Sequence, residues 1–177
     1  MKSKGKKALQ ESDLHHLHAA QGWLGLRNYV EANKELEHIP PKLRTHPDVL
    51  DVRWHICAHA RKWERCVYIA AAITTLAPDR ADGWIQCSIA LHELDLTQEA
   101  FNQLKPVADR FPTVWTIPYN LACYSAKLGL LDQSERWLKK AMAIDGRAVK
   151  RAAIDDADLK PLWHGTGGTL WKPPQGQ

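Results

Sequence analysis

The chain returns to one residue pattern every thirty-four positions, four times over. Counting from Asp13, Pro47, Ala81 and Trp115, like residue classes recur without any insertion. The seventeenth place holds Tyr29, Trp63, Thr97 and Leu131. The twentieth holds only small residues, Ala32, Cys66, Ala100 and Ser134. The twenty-fourth place is Leu36, Ala70, Leu104 and Leu138, and the twenty-seventh is Ile39, Ile73, Val107 and Ala141. Pro78, Pro112 and Gly146 occupy the thirty-second place of the last three units. A strict period of this length points to an array of stacked small units, each burying its apolar face against the next.

Within each unit, a small residue followed by apolar residues at +4 and +7 marks one face of a helix, the small side chain letting a neighbouring helix come close. Proline or glycine afterwards stops that helix. Each unit therefore predicts two antiparallel helices, at 12–26 and 28–38, 47–60 and 63–76, 81–94 and 97–110, and 115–128 and 131–144. Pro40 and Pro41 end the first unit early.

The pattern resembles the tetratricopeptide repeat, a thirty-four-residue helix pair with the signature W-x2-L-G-x2-Y, A-x3-F and P. The third unit carries Trp84, Cys87-Ser88, Leu91, Ala100, Leu104 and Pro112. The fourth reads YNLACYSAKLG, with Leu121-Ala122 at the L-G place and Gly129 in the turn. The first unit matches best in NYVEANKEL, and the second departs most, with Arg53-Trp54 where leucine and a small residue are usual. The resemblance implies an all-α fold, a right-handed α-α superhelix of four helix-turn-helix repeats with a C-terminal cap. By phase the units are 13–46, 47–80, 81–114 and 115–148, within an array spanning 13–146. Residues 1–12 read as a flexible basic leader. Residues 147–163 read as a cap burying Val149, Ala152 and Ile154, with Leu159, Leu162 and Trp163 folding back. Residues 164–177 read as a Gly/Pro-rich tail. The ending is similar to that of many bacterial repeat proteins.

Composition narrows the function classes. The formal charge of +4 equals the four lysines Lys2, Lys4, Lys6 and Lys7, so the body from residue 8 is close to neutral. That leaves no basic stripe in the folded part for a nucleic acid. No run approaches the ~18 apolar residues of a membrane span, and no signal peptide is visible. A cytoplasmic protein is expected. Cys57, Cys66, Cys87 and Cys123 are widely spaced and read as free buried thiols. No nucleophile elbow, phosphate-binding glycine loop or paired carboxylates stand out. Asp155, Asp156 and Asp158 read as helix caps and solvent contacts. The chain is expected to be no enzyme, with no cofactor and no metal.

The resemblance also implies a binding face. In such repeats the first helix of each pair lines an inner groove that takes peptides. The inward places predict a groove of Leu17, His18, Gln21, Val52, His55, His59, Ile85, Gln86, Ile89, His92, Tyr119, Asn120, Cys123 and Lys127, flanked by Leu14 and Asp51. His55 and His59 have the i, i+4 spacing of zinc-binding helices, and His92 falls nearby in the repeat register. A metal site on these three, a pH-sensitive groove and plain packing histidines are all compatible with the spacing. Relatives that clamp a chaperone's C-terminal carboxylate use cations and asparagines at set places. Here those places hold Leu17, Gln21, Val52, Asp82 and Gln86, or Asp51, His55, Gln86, Thr116 and Asn120, so that function is disfavoured. Trp23, Trp54, Trp63, Trp84 and Trp137 are expected in the core, while Trp163 and Trp171 are candidates to anchor a partner or a second copy. The function expected is a non-enzymatic peptide- or protein-binding adaptor or scaffold with an unknown protein partner. The alternatives are self-assembly into a homo-oligomer, a secretion-type chaperone and a histidine metal site.

Overall fold

The computed structural model describes residues 8–165. Among these the regular structure is helical: α1 (Glu11–Gly25), α2 (Tyr29–His38), α3 (Pro47–His59), α4 (Trp63–Leu76), α5 (Asp82–Glu93), α6 (Thr97–Leu104), α7 (Thr116–Lys127), α8 (Leu131–Ala153) and α9 (Lys160–Gly165). Three short 3-10 turns lie at Pro41–Leu43, Lys105–Val107 and Ala157–Leu159. All four expected helix pairs are present. Most ends fall within one residue of expectation, and α6 and α8 are the exceptions. Pro106 lies in the second of the 3-10 turns and lacks a backbone donor, so α6 stops at Leu104 rather than continuing to residue 110. Helix α8 runs on past the expected end at residue 144, but with a break. Asp145 is non-helical (φ −147°, ψ 84°), and its Oδ1 accepts from the Ala148 amide at 2.9 Å, capping a new segment. The leader up to residue 7, the tail from residue 166, and the side chains of Trp163 and Trp171 lie outside the described residues.

The turn inside each pair repeats as faithfully as the helices. Arg27, Arg61, Asp95 and Gly129 all stand at the fifteenth place and all have positive φ, between 54° and 76°. Their amides bond back to Leu24, Ala58, His92 and Ala126, and the following amides bond to Trp23, Cys57, Leu91 and Ser125. This pair of hydrogen bonds satisfies the last carbonyls of each first helix in the Schellman manner. Glycine is the residue that adopts this backbone without strain. Only the fourth unit has it, and the other three carry the strain because the packing of both helices holds the turn shut.

The helices group into two compact units divided within α5, one up to Ala90 and one from Leu91. In the first, α1 packs on α2 and α3, and α3 packs on α2 and α4. Leu17, Ala20, Leu36, Ile39, Val49 and Val52 form its core. A side chain at Gly83 would bring a Cβ within 2.8 Å of Ile73 Cγ2 and 3.0 Å of the Thr74 amide nitrogen, so glycine there permits the close approach of α5 to α4. In the second unit, α7 packs on α6 and α8, and the chain beyond α8 returns so that the last 3-10 turn and α9 lie on α7. The residues at the twentieth, twenty-fourth and twenty-seventh places of every unit are at most 2% exposed. The repeat period is thus the period of the buried face.

Two expectations about packing are corrected. Of the five tryptophans placed in the core, Trp54 is buried, while Trp23, Trp63, Trp84 and Trp137 are half-buried. Trp84 turns its indole N–H to the Pro78 carbonyl at 3.3 Å, and Lys140 lies over the Trp137 ring at 4.4 Å. In the cap, Val149, Leu159 and Leu162 are buried as expected, but Ala152 and Ile154 are exposed and Ala153 is buried instead. The break at Asp145 resets the helical phase, so Val149 and Ala153, four apart, share the inward face.

Candidate functional site

In the first unit the inward places divide between core and surface. Leu17 and Val52 are 3% and 0% exposed and belong to the core, which corrects their placement on a groove wall. His18, Gln21, His55 and His59 are exposed, and Ile85 and Ile89 are half-buried. Gln86 is buried. Its Nε2 donates to Asp51 Oδ1 at 2.6 Å while its own carbonyl oxygen has no partner. Asp51 Oδ1 also lies 4.0 Å from His55 Nε2, so the carboxylate fixes the amide below and faces the imidazole above.

His55 and His59 share one hollow of about 410 Å³, lined also by Leu24, Gly25, Tyr29 and Ala58. Leu24, Gly25 and Ala58 stand at the twelfth and thirteenth places, which the tetratricopeptide pattern also turns inward. The His59 ring stacks on Tyr29 with centroids 3.6 Å apart and planes 10° apart. In the sequence Tyr29 is only a repeat position at the start of α2. Nothing in its spacing marks it for the hollow, because the turn at Arg27 decides where its ring lands. The hollow offers an aromatic wall, two imidazoles able to donate or accept, and an aliphatic rim. Such a surface suits an apolar side chain with a polar neighbour.

In the second unit the expected groove face is already occupied by the chain's own C-terminal segment. Tyr119, Cys123 and Leu159 are all nearly or fully buried. The Tyr119 hydroxyl donates to Asp156 Oδ2 at 2.5 Å, and the Cys123 thiol donates to the same oxygen at 3.5 Å. The other oxygen, Oδ1, accepts from the Asp158 amide at 3.0 Å. His92 Nε2–H donates to Asp158 Oδ2 at 2.9 Å, its Nδ1 bonds the Thr97 hydroxyl at 2.9 Å, and its ring lies 4.9 Å from that of Tyr124. Both nitrogens of His92 are thereby engaged. Asn120 is half-buried and Lys127 exposed beside this cluster. Asp156 does cap the last 3-10 turn, as expected, but the reading of Asp156 and Asp158 as mere caps and solvent contacts is corrected: they fasten the segment to α7 and to His92. The sequence holds no signal for this, since thirty or more residues separate the partners.

Burial pushes the Tyr119 hydroxyl and the Cys123 thiol well up, and the Asp156 carboxylate beside them pushes both further, so both keep their protons and act as donors. Burial likewise pushes Cys66 up to about 12. Neither thiol is a nucleophile near neutrality. The hydrogen bond from His92 holds Asp158 below its ordinary 3.8, with Lys127 adding to the effect and burial opposing it. A carboxyl lowered in the folded state contributes stability that is fully present above its unfolded value and is lost as pH falls through its folded value. Protection of the Leu159 amide against hydrogen exchange is therefore expected to fall below pH ~4 in the wild type. In Asp158→Asn, protection is expected to be lower at neutral pH and to fall less in acid. Parallel acid profiles for the two proteins would refute the role of Asp158.

Among the described residues, no group of three or more His, Cys, Asp and Glu is arranged to hold a metal ion. No described helix is long and apolar enough to cross a membrane.

The fold and its repeats place the chain among known architectures. No protein-family model matches its sequence, and no curated protein does either. Its structure is similar to TTC0263, a thermophilic TPR protein of Thermus thermophilus, with a TM-score of 0.68 at 16% identity over 85% of this chain and 86% of that one. It is also similar to MamA from residue 41 to its end, from Desulfovibrio magneticus RS-1, with a TM-score of 0.66 at 16% identity over 82% and 83% of the two chains. At such identities the likeness is one of fold: all-α, built from tetratricopeptide-type helix pairs.

Proposed function

We propose that the protein is a non-enzymatic binding module that recognises a segment of another protein on the inner face of its first unit. The observation that carries this reading is the hollow between Leu24, Tyr29, His55 and His59, where the Tyr29 ring joins side chains from the inward places of two successive repeats. The second unit supports it by example, because there the same kind of face holds a short segment through one hydroxyl, one thiol and one imidazole. Apolar contact supplies most of the affinity of such a face, at roughly 25 cal/mol per Å2 buried, and the imidazoles orient the bound main chain. An adaptor role and a cytoplasmic location are part of the same proposal.

A photo-crosslinking amino acid placed at His59 in the full chain, and separately at exposed Tyr68 on α4, tests it in native lysate. A discrete adduct is expected from position 59 and none from 68, and the captured protein should bind the purified wild type directly. Its affinity is expected to fall at least about tenfold for His55→Ala/Tyr29→Ala. Adducts from position 68 alone, or unchanged affinity in the double variant, would move the site off this face.

A further inference from the structure

The opposite face of α3 carries a different chemistry. Arg53, Ile56, Cys57 and Ala60 follow the i, i+3, i+4, i+7 stripe, turned away from His55 and His59. With Asn33, Lys62, Arg65 and Ile69 they line a cavity of about 240 Å³. Three of the lining side chains are cations and none is a carboxylate. In a body that is otherwise close to neutral, three cations around one small cavity repel one another. Among the described residues neither Lys62 nor Arg65 has an ion-pair partner. Arg53 reaches Glu37 Oε1 with one terminal nitrogen at 3.2 Å, but Glu37 also pairs with Arg44 at 2.6 Å, so one acid serves two guanidinium groups. The Nε of Arg53 is buried and has no acceptor at all. A buried donor on a charged group that lacks a partner is costly to the folded state.

Two further features sharpen the deficit. Lys62 precedes the first residue of α4 and Arg65 lies in its first turn, at the helix end where positive charge is disfavoured and an anion is favoured. The acid of that turn, Glu64, is exposed and does not line the cavity. Behind the cations, Ile56 and Ile69 make part of the wall apolar. The volume is below the ~300 Å3 at which drug-sized ligand sites begin.

We propose that this cavity is a binding site for a phosphate monoester carried on a small apolar or aromatic group. A doubly charged phosphoryl group offers three acceptor oxygens to Arg53, Lys62 and Arg65, where a single carboxylate would neutralise only one of them. The guanidinium of Arg65 can take two of these oxygens in its planar fork, and Asn33 adds an amide donor. Ile56 and Ile69 receive the carrier. The proposal stands apart from the peptide-binding reading, since its residues lie on the other side of α3.

Titration calorimetry on the full chain at low salt tests it with phenyl phosphate, inorganic phosphate and phenol. Saturable one-to-one binding is expected for phenyl phosphate, weaker binding for inorganic phosphate, and none for phenol. Lys62→Gln/Arg65→Gln, which alters two exposed side chains and leaves the N-terminal lysines in place, is expected to weaken phenyl phosphate at least about tenfold, with an unchanged far-ultraviolet circular dichroism spectrum. A phosphotyrosyl peptide flanked by glycines tells the source: affinity equal to that of phenyl phosphate assigns the site to a phosphorylated protein side chain, and its exclusion assigns it to a small phosphorylated molecule. Unchanged affinity in the double variant, or no saturable binding of phenyl phosphate in the millimolar range, overturns the proposal.

Discussion

Trp54→Ala is expected to cost the first unit about 3–5 kcal/mol of stability, the range for emptying a buried indole site. Trp54 is 5% exposed at a place where this fold usually keeps a small residue, so α3 has packed around the ring and cannot close the space behind it. Its backbone carbonyl also takes the thiol of buried Cys66 at 3.8 Å, which ties α3 to α4 at the same level. The indole N–H, by contrast, is buried with no acceptor. Trp54→Phe is therefore expected to lose less than about 1.5 kcal/mol, because it removes an unsatisfied donor along with the smaller part of the volume. Urea unfolding followed by circular dichroism separates the two variants. Equal losses would mean that the N–H does have a partner, and a loss near zero for alanine would mean that the ring is not part of the core.

Asp156→Ala is expected to cost about 2–4 kcal/mol and to free the C-terminal segment, since it strips the acceptor from two buried donors and the cap from the last 3-10 turn. Tyr119 and Cys123 are 7% and 5% exposed, so water cannot fully replace the lost carboxylate. Asp156→Asn is expected to recover part of the loss through its amide oxygen, and the effects of Asp156→Ala and Tyr119→Phe are expected to be strongly non-additive. Hydrogen exchange at Leu159 and Leu162, both fully buried, reports the release directly. Unchanged protection there in Asp156→Ala would show that apolar burial alone holds the segment. Release would also uncover Tyr119 and Cys123, restoring to the second unit the face that its sequence register assigns to a groove.

How far the candidate site is legible in the sequence differs residue by residue. His55 and His59 are legible as a pair because i, i+4 spacing on a helix is a local property. Their placement in one hollow with Tyr29 is not, because it depends on the left-handed turn at Arg27 and on the packing of α1 against α3. Leu17 and Val52 fall in the core rather than on the groove wall because inward and buried places adjoin on a helix. A rotation of a few tens of degrees decides which side of the boundary a residue falls on. Asp156 and Asp158 read as caps since capping is local, and only the returning chain reveals their side-chain bonds to Tyr119 and His92.

What the amino-acid order determined alone is the architecture: four helix pairs and the buried stripe at the twentieth, twenty-fourth and twenty-seventh places. These follow from helical periodicity and from proline and glycine stops, which act over a few residues and repeat in register. Tertiary structure alone decided which inward residues remain open, that Asp156 and Asp158 fasten the folded-back C-terminal segment to Tyr119 and His92, and that Arg53, Lys62 and Arg65, drawn from α3 and from the start of α4, face one cavity. Those outcomes depend on contacts between distant residues, where a single break in helical phase, such as that at Asp145, redirects everything that follows it.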